Sequence, residues 1–202
     1  QAGTPGYIGV EYNLAPWQDE PVVVGVIASS ASELRLALAL GNDCVEVRHA
    51  LDDQTLRVTA DVARAEGAPS PAAPVRAMGF ALQAKEGEGF LGMGERFTRT
   101  NYRGRSVFSW AEEGGLGQGE GKAPGPSNPS PHGESMSYYP VPFYLSTAGY
   151  GLWLDTTYRS EMEFASVRDD ATRIFHLGKS LAFEIYVPKA AASWPYSIVD
   201  AF

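Results

Sequence analysis

Apolar and polar residues alternate with a period of two through most of the chain, and this pattern constrains the fold more than any other feature. Leu34, Leu36, Leu38 and Leu40 alternate with charged or small residues. Val45 and Val47 follow a turn at Gly41, Asn42 and Asp43. Leu56, Val58 and Ala60 follow Asp52 and Asp53. A period of two places successive side chains on opposite faces of a strand, so each run predicts a strand with one buried face. The rhythm returns at residues 151–155, 161–165, 172–177 and 181–187. These runs are separated by Arg159-Ser160, by Arg168-Asp169-Asp170 and by Gly178-Lys179-Ser180. Seven or more strands at such spacing predict an all-β antiparallel β-sandwich rather than a parallel α/β sheet.

With 202 residues and 44% hydrophobic content the chain can bury a full core as one large domain. A period near 3.6 is absent until Ser193 to Phe202. There Pro195 is expected to open a helix, with Ile198, Val199 and Phe202 on one face. The predicted organisation is a sandwich over residues 1–192 and the start of a linker helix over 193–202, read as a boundary with more chain beyond. Residues 65–74 and 114–135 are loops by composition, and the second is long enough to suggest function or disorder.

The formal net charge of −8, without a Lys/Arg-rich run, argues against nucleic-acid binding. No apolar stretch approaches the roughly 18–20 residues of a membrane-spanning helix. The expected partners therefore include neither nucleic acid nor a membrane. Cys44 is the single cysteine, so no intramolecular disulfide forms, and it is expected as a buried small hydrophobe. Gln1 is not an initiator methionine. This implies an amino terminus trimmed either by a signal peptidase or artificially, two histories with different compartments, of which the secreted or periplasmic one is favoured over the cytoplasm.

His49, His132 and His176 lie far apart without companions at metal-ligand spacing, so neither a metal nor another cofactor is expected. The run from Gly115 to Lys122 fails as a phosphate loop because Ala123 stands where Ser or Thr is needed. Gly92 and Gly94 fail as a dinucleotide fingerprint, because Phe97 replaces the third glycine and no βαβ unit surrounds them. Asp52-Asp53 and Asp169-Asp170 read as turn residues whose side chains bond nearby backbone. Glu112 and Glu113 differ, because they follow Phe108-Ser109-Trp110 and lead into the long loop. Carboxylates beside an indole suit a sugar, whose apolar face lies on the ring while its hydroxyls bond to the acids.

The run Gly89-Phe90-Leu91-Gly92-Met93-Gly94-Glu95-Arg96-Phe97 resembles the Gly-x-Gly-Glu motif in the amino-terminal sandwich of family 31 glycoside hydrolases. Tyr139-Pro140-Val141-Pro142-Phe143-Tyr144-Leu145-Ser146, followed by Gly149-Tyr150-Gly151-Leu152-Trp153-Leu154-Asp155, is similar to a second block of that family in order and spacing. The resemblance is strong from Gly89 to Phe202 and rests on strand pattern alone before that. It implies a sandwich of the galactose-mutarotase-like, or supersandwich, type ahead of a (β/α)₈ barrel. It also implies a retaining α-glycosidase acting on an α-glycoside or oligosaccharide. Both catalytic aspartates of the family belong to barrel loops, so no catalytic residue is carried over.

What the resemblance does carry over is a substrate-binding loop with Glu113, Glu112 beside it, and Trp110 flanking. Glu95 and Arg96 are candidates for substrate contact or for an ion pair at a domain junction. Sulfoquinovose-cleaving relatives tend to show Gln in a Gly-Glu-Gln type motif where this chain has Glu95 before Arg96, so Glu95 and Glu113 point to an unsulfonated sugar. Two other readings stand beside this one. One is a free-standing carbohydrate-binding sandwich. The other is a mutarotase-like epimerase, which needs a His/Glu acid-base set that no motif supplies. The glycosidase reading predicts an exposed apolar patch around Trp194 and Phe202.

Overall fold

The computed structural model describes residues 22–40, 43–63, 77–96, 99–110, 137 and 139–202. Among these, the strands are β1 (Val22–Ser29), β2 (Glu33–Leu40), β3 (Asp43–Asp52), β4 (Thr55–Ala63), β5 (Met78–Gln83) and β6 (Phe90–Gly94). They continue as β7 (Arg105–Ser109), β8 (Pro140–Ser146), β9 (Tyr150–Leu154), β10 (Ser160–Phe164), β11 (Ala171–His176) and β12 (Ser180–Tyr186). An eight-stranded sheet runs β1-β2-β3-β4-β12-β9-β8-β6, and a four-stranded sheet runs β5-β11-β10-β7. Every pairing is antiparallel. The all-β sandwich expected from the alternation is therefore the fold. The loops expected at 65–74 and 114–135 lie outside the described residues, as do the turn residues Gly41 and Asn42, His132 and the glycine run up to Lys122.

Alternation explains which side chains meet between the sheets. Val45, Val58, Ala60, Leu181, Phe183, Leu152, Leu154, Tyr144 and Phe90 come from the larger sheet. Val107, Met162, Phe164 and Ile174 come from the smaller one. Phe80 stacks on Phe183 with centroids 3.8 Å apart, and Phe90 stacks on Phe164 at 4.9 Å, so aromatic pairs join the two sheets. Burying each such ring contributes about 2 to 3 kcal/mol, which makes this layer the main source of stability.

The smaller sheet lies under only part of the larger one, with β5 facing β12 and β7 facing β8. The strands β1 and β2 extend beyond it, which is why Val26 and Leu34 are exposed although they obey the same alternation.

The outer face of the larger sheet is divided. Over β2, β3, β4 and β12 it carries an ion-pair ladder. Arg48 pairs with Glu33 at 2.9 Å, Arg35 with Glu46, and Arg57 with both Glu184 and Asp155. Such exposed pairs each add little stability. Over β8, β9 and β12 the same face is apolar, and the end of the chain covers it. A 3₁₀ turn (Ala191–Ser193) leads into a single helical turn, α1 (Tyr196–Val199). Ile198 is fully buried there against a cluster that includes Phe143 and Tyr186.

Two expectations need correction. Val199 does not share the face of Ile198 but is exposed, because adjacent helical residues diverge by about 100° and one turn buries only one of them. Phe202, four residues after Ile198, does return to that face and stacks on Phe143 at 4.2 Å. Cys44 is half-exposed rather than buried, because its place on β3 is offset by one from the core positions Val45 and Val47.

Candidate functional site

The sequence Gly92-Met93-Gly94 breaks the regular pairing of β6 with β8. Gly92 pairs with Tyr144, but Gly94 pairs with Pro140, so the register shifts between them. All three residues have positive φ: 115° at Gly92, 68° at Met93 and 79° at Gly94. A Cβ at Gly94 would lie 2.1 Å from the carbonyl oxygen of Tyr139, so no other residue fits that approach. Met93 tolerates a conformation unfavourable for an L-residue because its side chain is completely buried in the core.

The bulge re-aims the chain so that Glu95 and Arg96 emerge at the end of the sandwich. The amide of Glu95 donates to the Tyr139 carbonyl at 3.0 Å, and the Ser137 hydroxyl donates to the Glu95 carbonyl at 2.8 Å. Arg96 donates through Nε to the Met93 carbonyl at 3.0 Å and through Nη2 to the Phe108 carbonyl at 2.6 Å. The guanidinium thus ties the last residues of β6, in the larger sheet, to those of β7, in the smaller. Burial pushes its pKa below the usual arginine range.

Trp110 follows directly after β7 and is 46% exposed, while Tyr139, one residue before β8, is 70% exposed. The structure therefore brings Glu95, Arg96 and Trp110 to one end of the sandwich and adds Ser137 and Tyr139 to them. Glu112 and Glu113 lie outside the described residues. Their segment, 111–136, leaves from Trp110 and returns at Ser137, so both of its stems are fixed to the end of β6. Tyr139 and Ser137 were not singled out from the sequence. The available signal was an aromatic pair immediately before the Pro-x-Pro of β8.

Other acid-base groups are held in structural roles. Glu88 is almost fully buried at the opposite end, where its carboxylate accepts from the Lys85 amide at 2.8 Å and from the Ser146 hydroxyl. Burial pushes Tyr150, in the same cluster, up to about 12. His176 has both ring nitrogens engaged, Nε2 with the Ser180 carbonyl at 2.6 Å and Nδ1 with the Thr156 hydroxyl at 2.9 Å. These bonds require Nε2 to carry the proton and Nδ1 to accept. His176 therefore has no free nitrogen for epimerisation chemistry. Among the described residues no group of three or more His, Cys, Asp or Glu is placed to hold a metal ion.

Fold and site together define a mutarotase-like β-sandwich that gathers a carboxylate, a guanidinium and exposed aromatics at one end. A family model for the glycosyl hydrolase 31 N-terminal galactose mutarotase-like domain matches residues 30–163, and the chain belongs to that family. The α-xylosidase XylQ of Lactiplantibacillus pentosus is 30% identical over 98 residues, covering 48% of this chain and 11% of that protein. An α-xylosidase of Emericella nidulans is 28% identical over 102 residues, covering 50% and 11%. Among solved structures, a family 31 sulfoquinovosidase from E. rectale superposes with a TM-score of 0.61 at 20% identity, covering 82% of this chain and 23% of that one. The cycloalternan-forming enzyme of Listeria monocytogenes gives a TM-score of 0.60 at 16% identity, covering 83% and 21%. At these identities the superpositions establish the fold. The chain spans less than a quarter of either enzyme.

Proposed function

We propose that this chain is the sandwich domain of a retaining α-glycosidase, where it supplies a substrate-binding loop and contacts to a (β/α)₈ barrel but none of the catalytic carboxylates. The observation that carries this reading is the double anchoring of segment 111–136. Arg96 fixes the β7 stem before Trp110, and Ser137 fixes the returning stem to Glu95. Fixing Phe108 and Ser137, the described residues on either side of that segment, lowers the entropy lost when a binding segment closes on a sugar. In this reading Glu113 accepts hydrogen bonds from sugar hydroxyls, Glu112 and Glu95 support it, and Trp110 offers an apolar face. Arg96 holds the loop stem rather than the sugar.

The surface around α1 supplies the barrel contact. Phe202 is 49% exposed even though it stacks on Phe143, and Tyr196, Val187 and Val199 are exposed beside it.

The test is hydrolysis of nitrophenyl α-xyloside and α-glucoside by the 202-residue chain, beside a longer protein in which the same chain precedes a (β/α)₈ barrel. Turnover is expected only in the longer protein, and Glu113→Ala there should lower kcat/KM by about tenfold or more, the loss of a charged hydrogen bond to the sugar. Turnover by the 202 residues alone would refute the assignment of the catalytic groups. Inactivity of both, with sugar binding retained, would favour a free-standing carbohydrate-binding module.

A further inference from the structure

A concave feature opens at the same end of the sandwich as Glu95 and Trp110. It is a cleft of about 400 Å³ between the ends of β4 and β9 and the start of β12, within the size range of small-ligand sites. Its lining includes Asp61, Thr59, Thr157 and Tyr158, over a floor of Thr156 and His176. The register places these groups together. Asp61 pairs with Ser180, Leu154 pairs with Phe183, and His176 pairs with Ser160, which in turn pairs with Ser109 just before Trp110.

The floor is fixed. Thr156 accepts from the Tyr158 amide at 3.1 Å, while its hydroxyl meets Nδ1 of His176 and Nε2 of His176 meets the Ser180 carbonyl. The walls carry free capacity. Asp61 makes no ion pair among the described residues, Thr59 and Thr157 offer hydroxyls, and Tyr158 exposes 62% of its surface at the rim. Asp155 is already paired with Arg57 at 2.9 Å, a guanidinium it shares with Glu184.

This lining selects a class of ligand. The carboxylates disfavour anions, and a lining in which hydroxyls and carboxylates stand beside Leu181, Ala182 and the Tyr158 ring suits a ligand with both polar and apolar faces rather than an apolar peptide. A divalent cation would need more hard oxygen ligands than one unpaired carboxylate and neighbouring hydroxyls provide. A neutral polyhydroxylated ring satisfies all the groups at once, with its hydroxyls on Asp61 and the threonines and its apolar face on Tyr158. We infer that this cleft is a second saccharide site, built to hold a neutral sugar without cleaving it.

The site is distinct from the Trp110 end but belongs to the same edge of the molecule. The residues after β9 line the cleft, and β9 and β6, which delivers Glu95, are two strand spacings apart, about 10 Å.

The experiment is a titration of the ¹⁵N-labelled 202-residue chain with maltotriose, followed by amide shifts. Saturable shifts are expected at Asp61 and at Thr156 to Tyr158, with a millimolar dissociation constant. Tyr158→Ala and Asp61→Asn should each weaken it by about tenfold, the loss of one stacked face or one charged hydrogen bond. Trp110→Ala should leave it unchanged. Shifts confined to Trp110 and Tyr139 would overturn the inference while leaving the proposed function standing. An absence of saturable shifts at the cleft would also overturn it. So would equal shifts produced by calcium chloride alone, which would assign the cleft to a cation.

Discussion

The guanidinium of Arg96 reaches across the sandwich to the carbonyl of Phe108, 2.6 Å away, while its Nε bonds to the Met93 carbonyl of its own strand end. One planar side chain thus holds the ends of two sheets in register, a task that depends on donors fixed in a fork. Lysine keeps the charge but presents it as a point. Arg96→Lys is therefore expected to lower stability by about 2 kcal/mol in urea unfolding, since a buried carbonyl loses a charged donor. It should also alter Trp110 emission, because the stem that carries the indole loses its tie. A variant with unchanged stability and emission would show that Arg96 does not hold the stem.

Gly94 and Gly87 share a left-handed backbone, with φ of 79° and 73°, but differ in surroundings. A Cβ at Gly94 meets the Tyr139 carbonyl oxygen at 2.1 Å and the Val141 nitrogen at 2.5 Å, whereas at Gly87 nothing lies within 4 Å. Gly87→Ala should then cost about 1 kcal/mol, from conformation alone. Gly94→Ala should cost about 3 kcal/mol or more, because backbone must move in both β6 and β8. Comparing the two variants by thermal or urea unfolding isolates the bulge, and equal losses would mean that it relaxes freely.

The fold was legible in the sequence wherever burial follows strand alternation, as at Val45, Val58 and Phe183. Alternation does not report how far the opposing sheet extends, so Leu34 and Leu38 look alike in sequence although only Leu38 packs against the core. The motif Gly92-Met93-Gly94 was visible, but its bulge was not, since Met93 gives no sign of a positive φ that only its burial sustains. Glu95, Arg96 and Trp110 were found as separate residues. Their convergence depends on long-range pairing of β6 with β8 and on the Arg96 bond to β7, neither of which leaves a local trace. Tyr158 and Asp61 escaped notice because they are nearly a hundred residues apart and meet only through β12.

The buried His176 makes stability depend on pH in a definite direction. Burial lowers its folded pKa beneath the unfolded value of 6.5, outweighing the opposite effect of its bond to Ser180. The fold favours neutral imidazole, so its contribution is complete above the unfolded pKa. It is lost as the pH falls below 6.5 towards the folded value, because only the unfolded chain takes up the proton there. Unfolding at about pH 7.5 and 5.5 should show lower stability at the acid point. In His176→Gln that difference should shrink. Glu161, whose pKa is raised by burial and then by Glu163, acts in the opposite sense but is present in both proteins. The comparison therefore cancels it. An unchanged pH difference in the variant would place the titrating group elsewhere.

The contact between Ile198 and Gly151 decides whether the end of the chain is part of the domain. Ile198 is fully buried, and a Cβ at Gly151 would lie 2.6 Å from its Cγ2, so the glycine in β9 makes room for the helix above it. Ile198→Ala should cost about 2 to 4 kcal/mol, in the range for emptying a closed apolar site. Phe202→Ala should cost about half as much, because that ring is already half in solvent. Gly151→Ala should be destabilising by about 1 to 3 kcal/mol through overpacking against Ile198. In the double variant the removed isoleucine leaves space for the added methyl, so its loss should fall short of the sum of the single losses by about 1 kcal/mol or more. Strict additivity would mean that α1 does not sit on β9 in solution, and the apolar surface assigned to a barrel would then have to include Phe143, Trp153 and Tyr186 as well.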